Sequence, residues 1–336
     1  MPRALRIPAA VLACALAVLA ACQRSPKPVV DDRPDGPAAT VRHLAAQLRQ
    51  YDLAGFARDA VPAQDYQTFA DGWAAGASRW PLSELPLPER LVPMLAALSA
   101  NDAERQLGID YDRNLAGQVT DLRNAAQTLG LFIGQYVRSQ GEFTPDQRAH
   151  FSQVVPALTA WAQSAPLADA PRAHTALRTL VPAARATGID SEADLTQAGM
   201  AGALARLDPF FAALGGVLAD YGLSLDDSLA KLEVGEVTQE GDLAKVAVTY
   251  PLAGKPIQLT VTLRRQDGHW YVAHYMDQAT ALRKRLEQQA PTAPDAPNTP
   301  APEAPSPSAP PASSPPPPDG KVAGTVTLPS GGGGED

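Results

Sequence analysis

Cysteine is nearly missing from this sequence. There are 2 in 336 residues, Cys14 and Cys22, both near the amino terminus. Nothing beyond residue 22 can close a disulfide, so whatever folds there relies on its core. Histidine is scarce too. His43, His150, His174, His269 and His274 are scattered, with no H-x-x-x-H pair and no C-x-x-C, which excludes the common zinc spacings. Basic residues are outnumbered, with Lys+Arg 28 against Asp+Glu 36 and a net charge of −8. That balance argues against nucleic acid as a partner and against a polybasic grip on anionic lipid. G-x-S-x-G, H-E-x-x-H and a phosphate-cradling glycine loop are also missing. No catalytic constellation, metal cluster or cofactor loop is therefore legible.

The amino terminus is informative. Arg3 and Arg6 precede an uncharged run from Ile7 to Ala21. A bilayer-spanning helix needs about 20 apolar residues, so this run is too short and reads as a secretory signal. It ends on Leu19-Ala20-Ala21-Cys22, and the chain then turns polar. This tetrad resembles the lipobox of bacterial lipoproteins. The resemblance implies cleavage between Ala21 and Cys22, a diacylglycerol on the Cys22 thiol and acylation of the new amino terminus. An ordinary secretory signal with small residues before a cysteine is the competing reading. Cys14 fits less well, because Leu12 is a poor second residue and the run before it is short. Two or more acyl chains anchor a protein stably, at about 0.8 kcal/mol per buried methylene. The expected partner is thus a membrane, held through the lipid on Cys22. Gln23, where enteric lipoproteins of the inner membrane tend to carry aspartate, points to the outer membrane facing the periplasm. Loss of Arg3 and Arg6 with the signal brings the net charge to about −10.

Composition divides the rest. Residues 22–36 read as a lipidated cysteine and a proline-punctuated tether, and 37–289 as one globular domain. From 290 to 336 a proline–alanine–serine tract begins that buries too little apolar surface to fold, and it is expected to be disordered. Such a tail can offer proline motifs to the cell wall or an envelope protein.

Within 37–289 the period is helical to about residue 230. Val119, Leu122, Ala126, Leu129, Ile133, Tyr136 and Val137 form one apolar stripe. Thr144-Pro145-Asp146-Gln147 matches a capping box, and Phe151, Val154, Leu158 and Trp161 predict the buried face of the next helix. His174, Leu177, Val181 and Ala184 mark another helix, with Pro182 expected to bend it. Two more cover 195–207 and 209–221, broken at Asp208-Pro209. After Asp226 the period becomes two, predicting a four-stranded antiparallel meander over 231–276, with a hairpin at Gln266-Asp267-Gly268 and a closing helix over 278–289. The fold class expected is α+β, mostly helical with a carboxy-terminal sheet. The paired strands, the D-G-x-W-x-V run at 267–272 and the helix VRHLAAQLRQYDLAGFA at 41–57 resemble nuclear-transport-factor-like (cystatin-like) domains. That family holds both enzymes and binding scaffolds, and the likeness leaves the long helical middle unexplained.

Five features merit testing as sites. Ser228-Leu229-Ala230-Lys231 matches the S-x-x-K pair of penicillin-recognising enzymes, but K-T-G and S-D-N are missing, so a helix end is expected. Asp110, Asp112 and Asn114 begin like a calcium loop, but Leu115 stands where glycine is required and Asp121 where glutamate is. Gly130 and Gly134 predict close helix packing. His174 is expected to be a satisfied, partly buried histidine. Trp73, Trp80, Trp161 and Trp270 are expected to anchor core and sheet. The leading expectation is a non-catalytic scaffold or interaction module on a membrane. The alternatives are a small-molecule or peptide binding domain and a hydrolase whose site carries no known motif.

Overall fold

A computed structural model describes residues 34–139 and 143–289. The signal, Cys22, the tether up to residue 33 and the tail from 290 lie outside the described residues. The helices, in chain order, are α1 (Pro37–Arg49), α2 (Leu53–Asp59), α3 (Ala63–Ala74), α4 (Leu91–Ser99), α5 (Ala103–Asn114), α6 (Val119–Ser139), α7 (Pro145–Ser164), α8 (Ala170–Thr187), α9 (Glu192–Asp220) and α10 (Leu225–Ala230). The sheet follows as β1 (Glu233–Glu240), β2 (Leu243–Leu252), β3 (Lys255–Gln266) and β4 (His269–Val272), and α11 (Ala273–Gln289) closes the domain. The architecture is α+β, helix-rich with a terminal antiparallel meander of order β1-β2-β3-β4.

Local chemistry explains the boundaries. The Thr144 hydroxyl accepts from the Gln147 amide while the Gln147 side chain accepts from the Thr144 amide, so the capping box at the start of α7 forms as its sequence predicts. Ser191 and Asp194 do the same for α9, and Asp52, Asp169 and Ser224 cap α2, α8 and α10. The β2–β3 and β3–β4 turns hold two residues each, Ala253-Gly254 and Asp267-Gly268, all at positive φ. That is the hairpin turn whose twist matches the strands. The sheet departs from expectation at its end. The closing helix α11 starts at Ala273, directly out of β4, rather than at 278.

One face of the sheet is covered by α1. Val41 packs with Ala244, Val246, Val248, Leu263 and Trp270. The space between sheet and helix is filled by these side chains. The Val272 amide donates to the Ala60 carbonyl at 3.0 Å, which joins the outer edge of β4 to the end of α2. α7 lies against the part of β3 that β4 leaves unpaired. There the Gln153 side chain donates to the Gln258 carbonyl and accepts from the Gln258 amide, at 3.1 and 3.0 Å, so it acts as a further strand would.

The larger core joins α2, α3, α4, α8, α9 and α11, with Phe69, Trp73, Trp80, Leu95, Leu204, Leu207, Phe210 and Leu282 at its centre. Arg283 of α11 donates to Asp65 and Thr68 of α3 at 2.7 and 3.2 Å, which pins the closing helix to that core. α9 is long and apolar enough to cross a membrane by length and composition. Its buried residues from Leu195 to Phe210 supply much of this core.

The expected break at Asp208-Pro209 does not occur. α9 runs through Pro209 and is kinked at Gly199 (φ 69°, ψ 166°). Proline removes a single hydrogen bond, and fully buried Leu207 and Phe210 hold the helix on either side of it. The Asp208 carboxylate also accepts from the Leu53 amide at 3.2 Å, tying this turn to α2. Pro182 likewise stands inside α8 without ending it.

Candidate functional site

α6 and α7 form an antiparallel hairpin at the margin of the domain. α7 is held between α6 and the sheet, whereas α6 packs mainly on α7. Gly130 makes the close approach, since a Cβ there would collide with Thr159 of α7. Gly134 has only Arg138 of its own helix nearby, so close packing rests on one of the two glycines. A row of rings ties the hairpin to the sheet. Tyr136, Phe143 and Phe151 meet at centroid distances of 6.2 and 5.2 Å, and His150 beside them hydrogen-bonds the Tyr250 hydroxyl at 2.7 Å. Burial lowers the His150 pKa and pushes that of Tyr250 up to about 12, so both are neutral near pH 7.

The stripe predicted on α6 exists, but the described residues leave much of it uncovered. Val137 is 4% exposed, whereas Leu129 is 57%, Phe132 69%, Ile133 37% and Tyr136 46% exposed. At about 100° per residue, Val137, Ile133, Leu122, Leu129, Tyr136, Ala125 and Phe132 follow one another round the helix from the seam at Gly130, an apolar arc of roughly 160°. The half of it nearest Gly130 meets α7, and the rest, from Leu129 to Phe132, does not. From Asn124 to Val137 there is no charge. Leu131 is as exposed as Phe132 but lies on the polar side of the helix. Phe132 and Leu131 were not in the stripe read from the period. The signal that could have found Phe132 is the run Leu131-Phe132-Ile133, which is wider than one core-facing stripe.

A second feature lies between α5 and α8. A polar groove of about 540 Å³ is lined by Asp102, Glu104, Arg105, Ile109, Asp112, His174 and Arg185. His174 Nε2 lies 2.9 Å from Asp112 Oδ1. Gly108 admits the imidazole, because a Cβ there would sit 3.0 Å from the ring. Arg105 pairs with Asp102, and Arg185 donates to the Ser99 and Ala100 carbonyls at the end of α4. The groove's charges are thus mostly engaged with one another and with the backbone.

The remaining sequence candidates are structural. Asp110, Asp112 and Asn114 lie in α5, where alternating positions point apart and cannot converge on an ion as a loop would. Ser228 is buried in α10 and donates to the Ser224 carbonyl at 2.9 Å, and Lys231 is the residue that ends that helix. Trp73, Trp80 and Trp270 are buried, and Trp161 donates to the Tyr221 carbonyl at 2.9 Å. One polar cluster was not foreseen. Asp59 accepts from His43, Gln47 and Arg58 at 2.8, 2.6 and 3.2 Å. Burial raises its pKa, but these hydrogen bonds outweigh it and hold the carboxyl below its usual range. The cluster binds α1 to α2. Cys22 lies outside the described residues.

No family model matches the chain, and no curated protein or solved structure matches it.

Proposed function

We propose that this chain is a membrane-anchored envelope lipoprotein whose folded domain is a non-catalytic interaction module. The observation that carries this reading is the uncovered apolar face of α6. A contiguous exposed stripe of leucine, isoleucine, phenylalanine and tyrosine on a helix marks a docking surface. The lipobox-like Leu19-Ala20-Ala21-Cys22 supplies the anchor in this reading, and the tail from 290 supplies a further contact to the wall or an envelope protein. Three measurements test it. Cys22→Ala should abolish acylation and release the chain from membranes. If that variant is still cut and still resists a high-salt wash, the anchor is wrong. A photo-crosslinker at position 132 should trap a protein in intact envelopes, and one at position 131 should trap far less. Equal, diffuse labelling at both positions removes the interaction module. Truncation after Gln289 should reduce crosslinking to the wall and leave the products at 132 unchanged.

The α5–α8 groove favours a second reading, a site for a small polar ligand. Its mixed acidic and basic lining suits a small polar compound that competes with the Arg105–Asp102 and His174–Asp112 pairs. Protection of His174 from chemical modification by such compounds would support it.

A further inference from the structure

We infer that the α6 face is covered by a second copy of this chain, in an antiparallel helix pair. This rests on the reading of α6 as a docking surface and names its occupant. Three properties point to a copy. First, Leu129, Phe132, Ile133 and Tyr136 stand at i, i+3, i+4 and i+7, the width of stripe that one further helix covers. The spacing reads the same in both directions. A two-fold axis near positions 132 and 133 therefore sets Leu129 against the other copy's Tyr136 and Phe132 against its Ile133, as an isologous contact requires.

Second, the area fits. From their exposures, these four side chains offer on the order of 400 Å² of apolar surface. A standard interface takes about 800 Å² per partner, and in homodimers roughly 65% of it is apolar. One helix face thus supplies most of the apolar area a dimer needs. Third, the charge fits. Two copies of a mature chain with net charge of about −10 repel each other over most of their surface. Across the segment from Asn124 to Val137 they meet with no charge at all. If both copies are lipid-anchored in one membrane, confinement raises their effective concentration, so a micromolar affinity in solution suffices.

The test uses the full mature chain from residue 22 with Cys22→Ser, which then has no thiol. Sedimentation equilibrium across the micromolar range should show a reversible monomer–dimer equilibrium. Phe132→Asp should weaken it about a hundredfold, because a charge then enters the centre of the contact from both copies. Leu131→Asp, equally exposed on the other side of the helix, should change it by less than about threefold. Should Phe132→Asp fail to melt like the parent, Leu129→Ser replaces it. Orientation is read from cysteines. A mixture of Leu129→Cys and Tyr136→Cys chains should form a disulfide-linked heterodimer, and Leu129→Cys alone should not. The inference is overturned by a chain that stays monomeric throughout, by a dimer indifferent to Phe132→Asp, or by a monomer that uses Phe132 to bind phospholipid vesicles. In the last case, or if the crosslinker at 132 traps a different protein, α6 remains a docking surface and only the second copy is lost.

Discussion

Gly199 and Gly202 stand three positions apart in one helix, and replacing each with alanine should change stability in opposite directions. Helix propensity alone predicts that both Gly→Ala changes stabilise, by about 1 kcal/mol each. The backbone says otherwise at Gly199. Its φ of 69° and ψ of 166° lie in a region that only glycine enters readily. An L side chain held there costs on the order of 1–3 kcal/mol, against which the stiffer unfolded chain returns about 0.4–1 kcal/mol. The net expectation for Gly199→Ala is a loss of about 1–2 kcal/mol, or roughly 2–8 °C in Tm for a domain of this size. No steric contact enters, since a Cβ on Gly199 meets nothing within 4 Å.

Gly202 has ordinary helical geometry, and its Cβ would only touch Ala198 at 4.0 Å. Gly202→Ala should therefore gain about 1 kcal/mol. The Gly199 kink also has a partner. The Leu195 carbonyl is among the last four of the first helical segment, which a helix leaves without regular partners, and the Trp73 indole donates to it at 2.8 Å. Trp73→Phe should lose that bond and couple to Gly199→Ala in a double-mutant cycle, whereas it should be additive with Gly202→Ala. Thermal and urea melts of the single and double variants decide the matter. If Gly199→Ala is neutral or stabilising, the kink is not imposed by the glycine and this account of α9 fails.

Two further outcomes follow from the hairpin. Gly130→Val should drive α6 away from Thr159, destabilise the hairpin by about 1–3 kcal/mol and speed amide exchange in α6 before the rest of the domain. His150 makes a pH prediction. Burial lowers its folded pKa below the ordinary 6.5, so near pH 6 the unfolded chain binds more protons than the folded one. The stability held by neutral His150 is present above pH 6.5 and is lost as pH falls toward the folded value. His150→Gln should therefore flatten the decline in stability between about pH 7 and 5, and identical pH profiles for parent and variant would remove this role.

Much of the fold was legible because local chemistry fixed it. The period of two, the Asp267-Gly268 turn and the Thr144 capping box each act within a few residues, and each forms. The break in α9 was misplaced because proline is an obvious local signal whereas Gly199 is an ordinary residue in sequence. What separates them is tertiary. Leu207 and Phe210 are held by the core on either side of Pro209, and the Trp73 indole reaches the turn before Gly199 from a helix far away in sequence. The site was half legible for a similar reason. Periodicity found an apolar stripe on α6, but periodicity cannot say whether a stripe is covered. Coverage depends on what α7 and the sheet leave free.

That remainder is larger than packing requires. A helix with one neighbour needs an apolar stripe about 100° wide. α6 carries roughly 160°, and its seam with α7 is already closed by Val137, Gly130 and the half-buried Ala126 and Leu122. Leu129 and Phe132, the most exposed of the stripe, could be polar without opening that seam. α7 cannot turn to cover them, because its opposite side is committed to β3 through Gln153 and to the ring of Tyr250 through His150. Nor does α11 reach them, since its buried Ala279 and Leu282 belong to the main core, where α11 packs on α3. Fully burying a side chain of this kind is worth about 1.5–3 kcal/mol, and on α6 Leu129 and Phe132 stay more than half exposed, with Ile133 and Tyr136 partly so, among the described residues. The face is thus explained by what meets it from outside, and its uncharged, reversible i, i+3, i+4, i+7 pattern is what a second α6 would present in return.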